Sequence, residues 1–235
     1  MKILYDHQIY NNQNYGGISR YFYELSKGLT LLGNDCQNTI YFSENEFTKD
    51  RRMYDSRQFL PFKFKGRWAV KERLNRFVSE RFIQKGDYDI FHPTYYDTYF
   101  LNGKLPNRPF VVTFYDLIHE KFSDRYPTLL TNMDKVISNR EILLKRASRV
   151  IAISQSTKRD IVDYYGVAED RIQVTHLASS FFARPDGTDE NWGDYILFVG
   201  NRLGYKNFAL FFEAIHGLLE AGKEPKADLC GRWQI

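Results

Sequence analysis

The chain has 235 residues, 43% of them hydrophobic and 17% aromatic, enough apolar mass to bury one full core and begin a second, which excludes a disordered chain. Its 33 basic and 29 acidic residues leave a net charge of +4, too mild for a dedicated nucleic-acid binder, so any basic partner surface must be local. Cys36 and Cys230 lie nearly the whole chain apart without metal-ligand spacing, which argues against a disulfide framework or structural zinc and fits a reducing, cytoplasmic setting.

The first residues, "MKILYD", read as a buried strand and lack the pattern of a secretory signal. Ile18, Phe22, Leu25, Leu29 and Leu32 then recur at helical spacing, with Gly33 placed to end the helix. "NTIYF" (38–42) is the next predicted strand, giving β-loop-α-β at the start. Further strands are expected in "YDIFHP" (88–93), "RPFVVTFYD" (108–116), "SRVIAIS" (148–154) and "RIQVTHLA" (171–178). Helical patterning flanks the third of these. The helix after it has Ser154 or Ser156 as N-cap and Gly166 as the residue past its end.

Short apolar strands alternating with helices predict an α/β chain with a Rossmann-like, doubly wound parallel sheet. Residues 1–180 form the predicted first domain, 181–194 a Pro/Gly/Asp/Asn-rich linker, and 195–235 an incomplete second Rossmann-like domain. In that last part "YILFVG" reads as a strand, "FALFFEAIHGLLEAG" as a helix and "KADLC" as the start of another strand. One such unit cannot bury both faces of a sheet.

Gly16 and Gly17 sit where the first strand hands over to the first helix. There glycine lets a ligand approach helix N–H groups, and it also serves any tight turn; both readings are open. The pair is not part of a G-x-G-x-x-G fingerprint. His92 and Asp116 follow apolar runs at the carboxyl ends of predicted parallel strands, where chemistry is expected. Asp116 reads as a general base or charge stabiliser, or as a turn residue; His92 as a sugar-binding or acid–base group, or as a structural one.

Arg202 and Lys206 stand in "GNRLGYKN", a loop between strand and helix where two cations suit a diphosphate or simply a solvated surface. The stretch 51–81 mixes Lys and Arg with aromatic and aliphatic residues; Val70, Leu74, Phe77 and Val78 share a helical face. Lys63, Lys65, Arg67 and Trp68 in it are candidates for an acceptor or anionic-membrane surface, against the alternative of an ordinary helix packed on the sheet.

Taken together, "GGISRYFYEL", "FHPTYYD", "VVTFYDLIHE", "ASRVIAISQSTKRDIVDYYGVAEDRIQVTHLA" and "YILFVGNRLGYKNFALFFEAI" resemble, in order, the family 4 retaining glycosyltransferases of the GT-B fold. The resemblance implies transfer of a hexose from a UDP- or GDP-sugar to a saccharide or lipid-linked acceptor in cell-surface polysaccharide synthesis. It implies the acceptor mainly on the N-terminal domain and the nucleotide sugar mainly on the C-terminal one. By the same resemblance Gly16 and Gly17 lie near the donor phosphates, Arg202 and Lys206 neutralise the leaving diphosphate, and no metal cofactor is needed. Many members read Thr-x-His-Asp where this chain reads "TFYD", so Tyr115 stands in the His position while Asp116 keeps the Asp.

Members also continue through further βα units with an E-x7-E motif, and the tail "CGRWQI" departs from the glycine-rich turn expected there. The expectation is therefore a truncated or frameshifted enzyme, inactive as it stands, at the cytoplasmic membrane face. A binding module that docks on a partner subunit carrying the donor half is the alternative, and a phosphate-binding metabolic enzyme on the same fold is a third.

Overall fold

The computed structural model describes residues 1–103, 108–125, 133–179, 195–200, 204–223 and 227–230, the last four as backbone. Contacts divide the chain into two units, Met1–Leu117 with Asp134–Ser180, and Ile118–Met133 with Phe181–Ile235. The expected linker, 181–194, lies outside the described residues.

In the first unit β1 (Lys2–Tyr5) pairs in parallel with β2 (Asp35–Asn38) on one side and β3 (Ile90–His92) on the other. A second parallel set runs β4 (Val111–Phe114), β5 (Arg149–Ala152), β6 (Ile172–Val174). A parallel bridge from Phe91 to Phe110, with the Phe91 N–H donating to the Pro109 carbonyl at 3.1 Å, joins the two. The resulting order is β2-β1-β3-β4-β5-β6, a Rossmann-like doubly wound sheet.

Parallel strands need crossovers, and the crossovers are helices that cover the sheet. These are α1 (Gln8–Asn12), α2 (Gly17–Leu31), α3 (Arg67–Lys85), α5 (Asp134–Arg146) and α6 (Gln155–Tyr165). The short α4 (Ile118–Phe122) belongs to the second unit. Two apolar clusters hold the first unit together. One gathers Tyr5, Ile9, Tyr10 and Phe22 around β1 and α2, and the other Phe91, Phe114, Leu143, Leu144, Val150 and Ile161 around β3, β4 and β5. Each such buried side chain contributes about 1.5–3 kcal/mol by leaving water.

Local chemistry sets the helix ends where the sequence places them. The Ser154 hydroxyl accepts the Thr157 N–H at 3.0 Å to cap α6, and Gly166 ends that helix at φ 65°. After α2, Gly33 at φ 81° lets its own N–H reach the Thr30 carbonyl and that of Asn34 reach Leu29, each at 3.0 Å.

Two elements differ from expectation. The second strand runs 35–38 rather than 38–42, because Ile40 turns down into the core and Phe42 makes only a bridge to Arg57. The five-residue α1 is too short to show a period.

In the second unit β7 (Ile196–Val199) and β8 (Ala227–Cys230) pair in parallel, connected through α7 (Phe208–Glu220). Phe198 packs edge-on against Phe208 and tilted against Phe211, with ring centroids 5.1 Å apart in each pair. No residue of α7 is fully buried, and Ile196, Leu197 and Val199 are all exposed. Among the described residues no helix is long and apolar enough to cross a membrane.

Candidate functional site

The sheet changes direction at β1, whose neighbours are β2 and β3, and in open parallel sheets the crevice beyond such strand ends is where ligands bind. In this chain the protein fills much of that position itself. Asp6, directly after β1, is fully buried and accepts from the Thr94 N–H (2.8 Å), the Thr94 hydroxyl (2.7 Å), the Gln8 amide (2.7 Å) and the Tyr99 hydroxyl (3.1 Å). A buried carboxylate so saturated ties the β1 and β3 ends together. Sequence reasoning missed this hub; its available signal was an Asp immediately after one strand and a Thr just after another.

Gly16 and Gly17 do lie at the N-terminus of α2. Gly16 is in extended backbone, and a Cβ there would run into the amide of Gln13. That amide is in use: its oxygen accepts the Ser19 N–H at 3.3 Å and caps the helix in place of an N-cap side chain. A Cβ on Gly17 would meet nothing within 4 Å. The N–H groups of Gly17 and Ile18 have no acceptor among the described residues. Open space beside free helix amides is the geometry of an anion site.

His92 is a core residue. Its Nε2 lies 2.9 Å from the Thr113 hydroxyl, and its ring packs between Tyr5 (5.5 Å) and Phe22 (5.0 Å). Burial holds its pKa down to about 3, so it is neutral at physiological pH and out of solvent. The acid–base role considered for it is therefore corrected: it is a packing and hydrogen-bonding group beneath the strand ends.

The same Thr113 supports the next strand end. Its hydroxyl is 3.4 Å from that of Tyr21, and its carbonyl accepts from Tyr96 at 3.3 Å. Two residues on, Tyr115 stacks edge-on against Tyr21 at 5.6 Å, and its hydroxyl is buried without a hydrogen bond. Burial pushes that phenol well above its ordinary range, so it is a proton donor with no acceptor among the described residues. Asp116 follows, half-buried; burial chiefly raises the Tyr95 and Tyr96 phenols, and the nearby Asp116 carboxylate adds to that rise. The buried Arg140 lies over the Tyr96 ring at 4.4 Å and opposes that effect.

Of the basic surface candidates, Lys63, Lys65 and Trp68 are exposed, and Arg67 is not free. Arg67 forms a two-pronged ion pair with Glu44, donates to the Leu60 and Phe59 carbonyls, and stacks on Phe59 at 5.3 Å. Glu44 is held below the usual carboxylate range chiefly by that guanidinium. The surface reading of Arg67 is corrected on this geometry: it locks the first turn of α3.

α3 itself is inverted relative to the amphipathic expectation. Its inward stripe is Lys71, Asn75, Ser79 and Ile83, while Val70, Leu74, Phe77 and Trp68 are 44%, 41%, 56% and 55% exposed. The inward polar groups are satisfied. Asn75 accepts from the Phe42 N–H (2.8 Å) and donates to Asn11 (3.0 Å), Ser79 meets Thr39 (2.6 Å) and His7 (2.7 Å), and Lys71 reaches Glu44 (3.3 Å). Burial pushes the Glu72 carboxyl up, but hydrogen bonds from His7 and Asn11 outweigh it and hold the carboxyl below its usual range.

In the second unit Lys206 is exposed just before the N-cap Asn207 of α7, its ammonium 5.1 Å from the Tyr205 ring. Arg202 lies outside the described residues.

A doubly wound parallel sheet with free helix amides and polar residues at its carboxyl edge defines a Rossmann-like ligand-binding class. Residues 15–178 match Glycosyltransferase Family 4, and the chain belongs to that family. No curated protein matches it. Among solved structures it is similar to a glycosyltransferase from Rickettsia africae, with TM-score 0.54 and 15% identity over 99% of this chain and 68% of that one. It is also similar to the lipopolysaccharide outer core galactosyltransferase WaaB in its apo form, with TM-score 0.53 and 14% identity over 100% of this chain and 68% of that one. A third is Anabaena HepE in complex with UDP and glucose, with TM-score 0.50 and 16% identity over 100% of this chain and 70% of that one. At these identities the likeness establishes the fold, that of GT-B glycosyltransferases.

Proposed function

We infer that this chain is the acceptor-side domain and the first unit of the donor-side domain of a retaining glycosyltransferase. It uses a UDP- or GDP-sugar and a saccharide or lipid-linked acceptor, in the synthesis of cell-surface polysaccharide. The observation that carries the reading is the family match over residues 15–178. The α2 N-terminus, where Gly17 and Ile18 hold free amides beside open space, supports it. HepE is a neighbour solved with UDP and glucose.

In this reading the bond between the sugar C1 and the donor diphosphate breaks, and the acceptor hydroxyl oxygen bonds to C1. The hydroxyl proton passes to a base, the role assigned to Asp116. The diphosphate departs with its negative charge met by the α2 amides, and donor-phosphate binding is the role proposed for Arg202 and Lys206. The chain alone is expected to turn over poorly or not at all, consistent with the exposed apolar residues of β7 and α7. Those residues equally favour a module that docks on a partner; a defined complex in size-exclusion chromatography, rather than a monomer, supports that second reading.

A peripheral contact with an anionic membrane belongs to the same proposal. The outward face of α3 and the segment before it present Phe62, Phe64, Trp68 and Phe77 with Lys65, Arg73 and Arg81, apolar anchors among positive charges.

The test is titration of the chain with UDP and GDP by calorimetry. Gly17→Val keeps the fold, since a Cβ meets nothing there, and is expected to abolish or strongly weaken nucleotide binding by screening the amides. Nucleotide affinity unchanged in Gly17→Val would remove the glycine turn from the donor site. No binding of either nucleotide to the wild type would overturn the reading for this chain.

A further inference from the structure

Beside the first turn of α3 a cavity of about 630 Å³ opens, walled by the segment that follows β2 and by residues 48–63. Its charge is one-sided. Lys49, Arg51, Arg57, Lys63 and Arg67 line it against a single carboxylate, Glu44. Glu44 is already engaged by Arg67 and Lys71, and Lys49 pairs with Glu46 at 2.7 Å. The other three cations have no carboxylate partner among the described residues: Arg51 donates to the Ser56 carbonyl, Arg57 lies over the Tyr41 ring at 5.2 Å, and Lys63 is exposed.

Guanidinium groups stay charged at any physiological pH, so this concavity carries a standing positive potential. The wall is also tied to the glycine turn. The Asn45 amide donates to the Gln13 carbonyl at 2.7 Å, and the Glu46 N–H to the Asn14 carbonyl at 2.8 Å, so both cavity wall and α2 N-terminus hang on residues 13–17.

We propose that this cavity binds a phosphoryl group carried by the acceptor, an assignment that rests on the glycosyltransferase reading. Unpaired Arg and Lys side chains suit phosphoryl oxygens, through forked guanidinium bonds and an ammonium point charge. The volume admits a phosphorylated sugar or a lipid headgroup. Ser43 and Asn45, which also line it, supply neutral hydrogen-bonding groups.

The full chain is titrated with glucose 6-phosphate and with glucose, and sedimented with phosphatidylcholine vesicles with and without phosphatidic acid. The phosphorylated probe is expected to bind and glucose not. Lys63→Gln is expected to weaken phosphoryl binding about threefold, and Arg57→Gln combined with it about tenfold or more, the loss of one and two charge-assisted contacts. UDP affinity stays unchanged in both. If Arg57→Gln lowers the melting temperature, the exposed Lys63 carries the test alone.

A loss seen with glucose 6-phosphate identifies a soluble phosphosugar as the source, and a loss confined to phosphatidic acid vesicles identifies a lipid headgroup. Either supports the cavity. Equal phosphoryl affinity of wild type and both variants, or glucose binding as well as its phosphate, overturns it. If the variants lose phosphoryl binding while neither UDP nor GDP binds the wild type, the phosphoryl site stands and the donor reading falls.

Discussion

Two strands of the first unit lead into the same dipeptide, Tyr5-Asp6 at the end of β1 and Tyr115-Asp116 directly after β4, and the fold gives the two carboxylates different surroundings. Asp6 is fully buried, and five donors from three residues close around it. Asp116 is half-buried, beside a tyrosine whose hydroxyl has no hydrogen bond. Position at a strand's carboxyl end therefore does not by itself make a carboxylate a reacting group. What separates them is burial: Asp6 lies wholly inside the fold, and Asp116 keeps part of its surface exposed. After β3, Thr94 and Tyr99 return to Asp6 and consume its lone pairs. A carboxylate in that state serves stability, and one left part-exposed can serve a substrate.

The comparison can be broken most forcefully at Asp6. Asp6→Ala leaves buried Thr94, Gln8 and Tyr99 groups without their acceptor, and is expected to cost on the order of 3 kcal/mol, read by urea denaturation. A loss below about 1 kcal/mol shows the hub to be dispensable. The second effect is a pH dependence set by His92, which is buried neutral between the two strand ends with its pKa held to about 3. The unfolded chain takes up the proton near pH 6.5, whereas the folded one resists until about pH 3. Stability is therefore complete above the unfolded value and falls with decreasing pH at about 1.4 kcal/mol per unit. His92→Gln is expected to remove that one-proton slope from the pH-stability curve.

Smaller effects on stability sharpen the other side. Asp116→Asn is expected to lower turnover of a complete enzyme on the order of a hundredfold, with nucleotide affinity little changed. Turnover preserved in that variant takes Asp116 out of the mechanism. Tyr115→Phe removes a hydroxyl that has no partner, so thermal stability should stay level or rise by a few tenths of a kcal/mol. A marked destabilisation reveals a partner for the hydroxyl in the protein.

Much of the architecture was legible in advance. The apolar runs around β1, β3, β4 and β5 and the capping signals Ser154 and Gly166 were read correctly because each is a local property of a few adjacent residues. The site was legible only in outline. Gly16 and Gly17 were placed at the right helix end, but that Gly16 makes room for the Gln13 cap while Gly17 faces open space depends on a side chain folding back. His92 looked available because it follows a strand; packing between Tyr5 and Phe22 removed it from solvent. Arg67 looked like surface charge until Glu44, twenty-three residues earlier, was found clamped to it.

α3 shows the division most plainly. Its period, and the face shared by Val70, Leu74 and Phe77, were properties of the sequence alone, because backbone geometry dictates which residues line up every three or four positions. Which face turns inward was a tertiary decision. Glu44, Asn11, Thr39 and His7 offered partners to Lys71, Asn75 and Ser79, and the saturated polar contact outweighed the apolar one that periodicity favours. The sequence by itself thus determined the α/β class, the family and most elements, through short-range pattern. The tertiary structure decided which polar residues are spent on the fold and which stay available, because hydrogen-bond satisfaction depends on partners brought from distant parts of the chain.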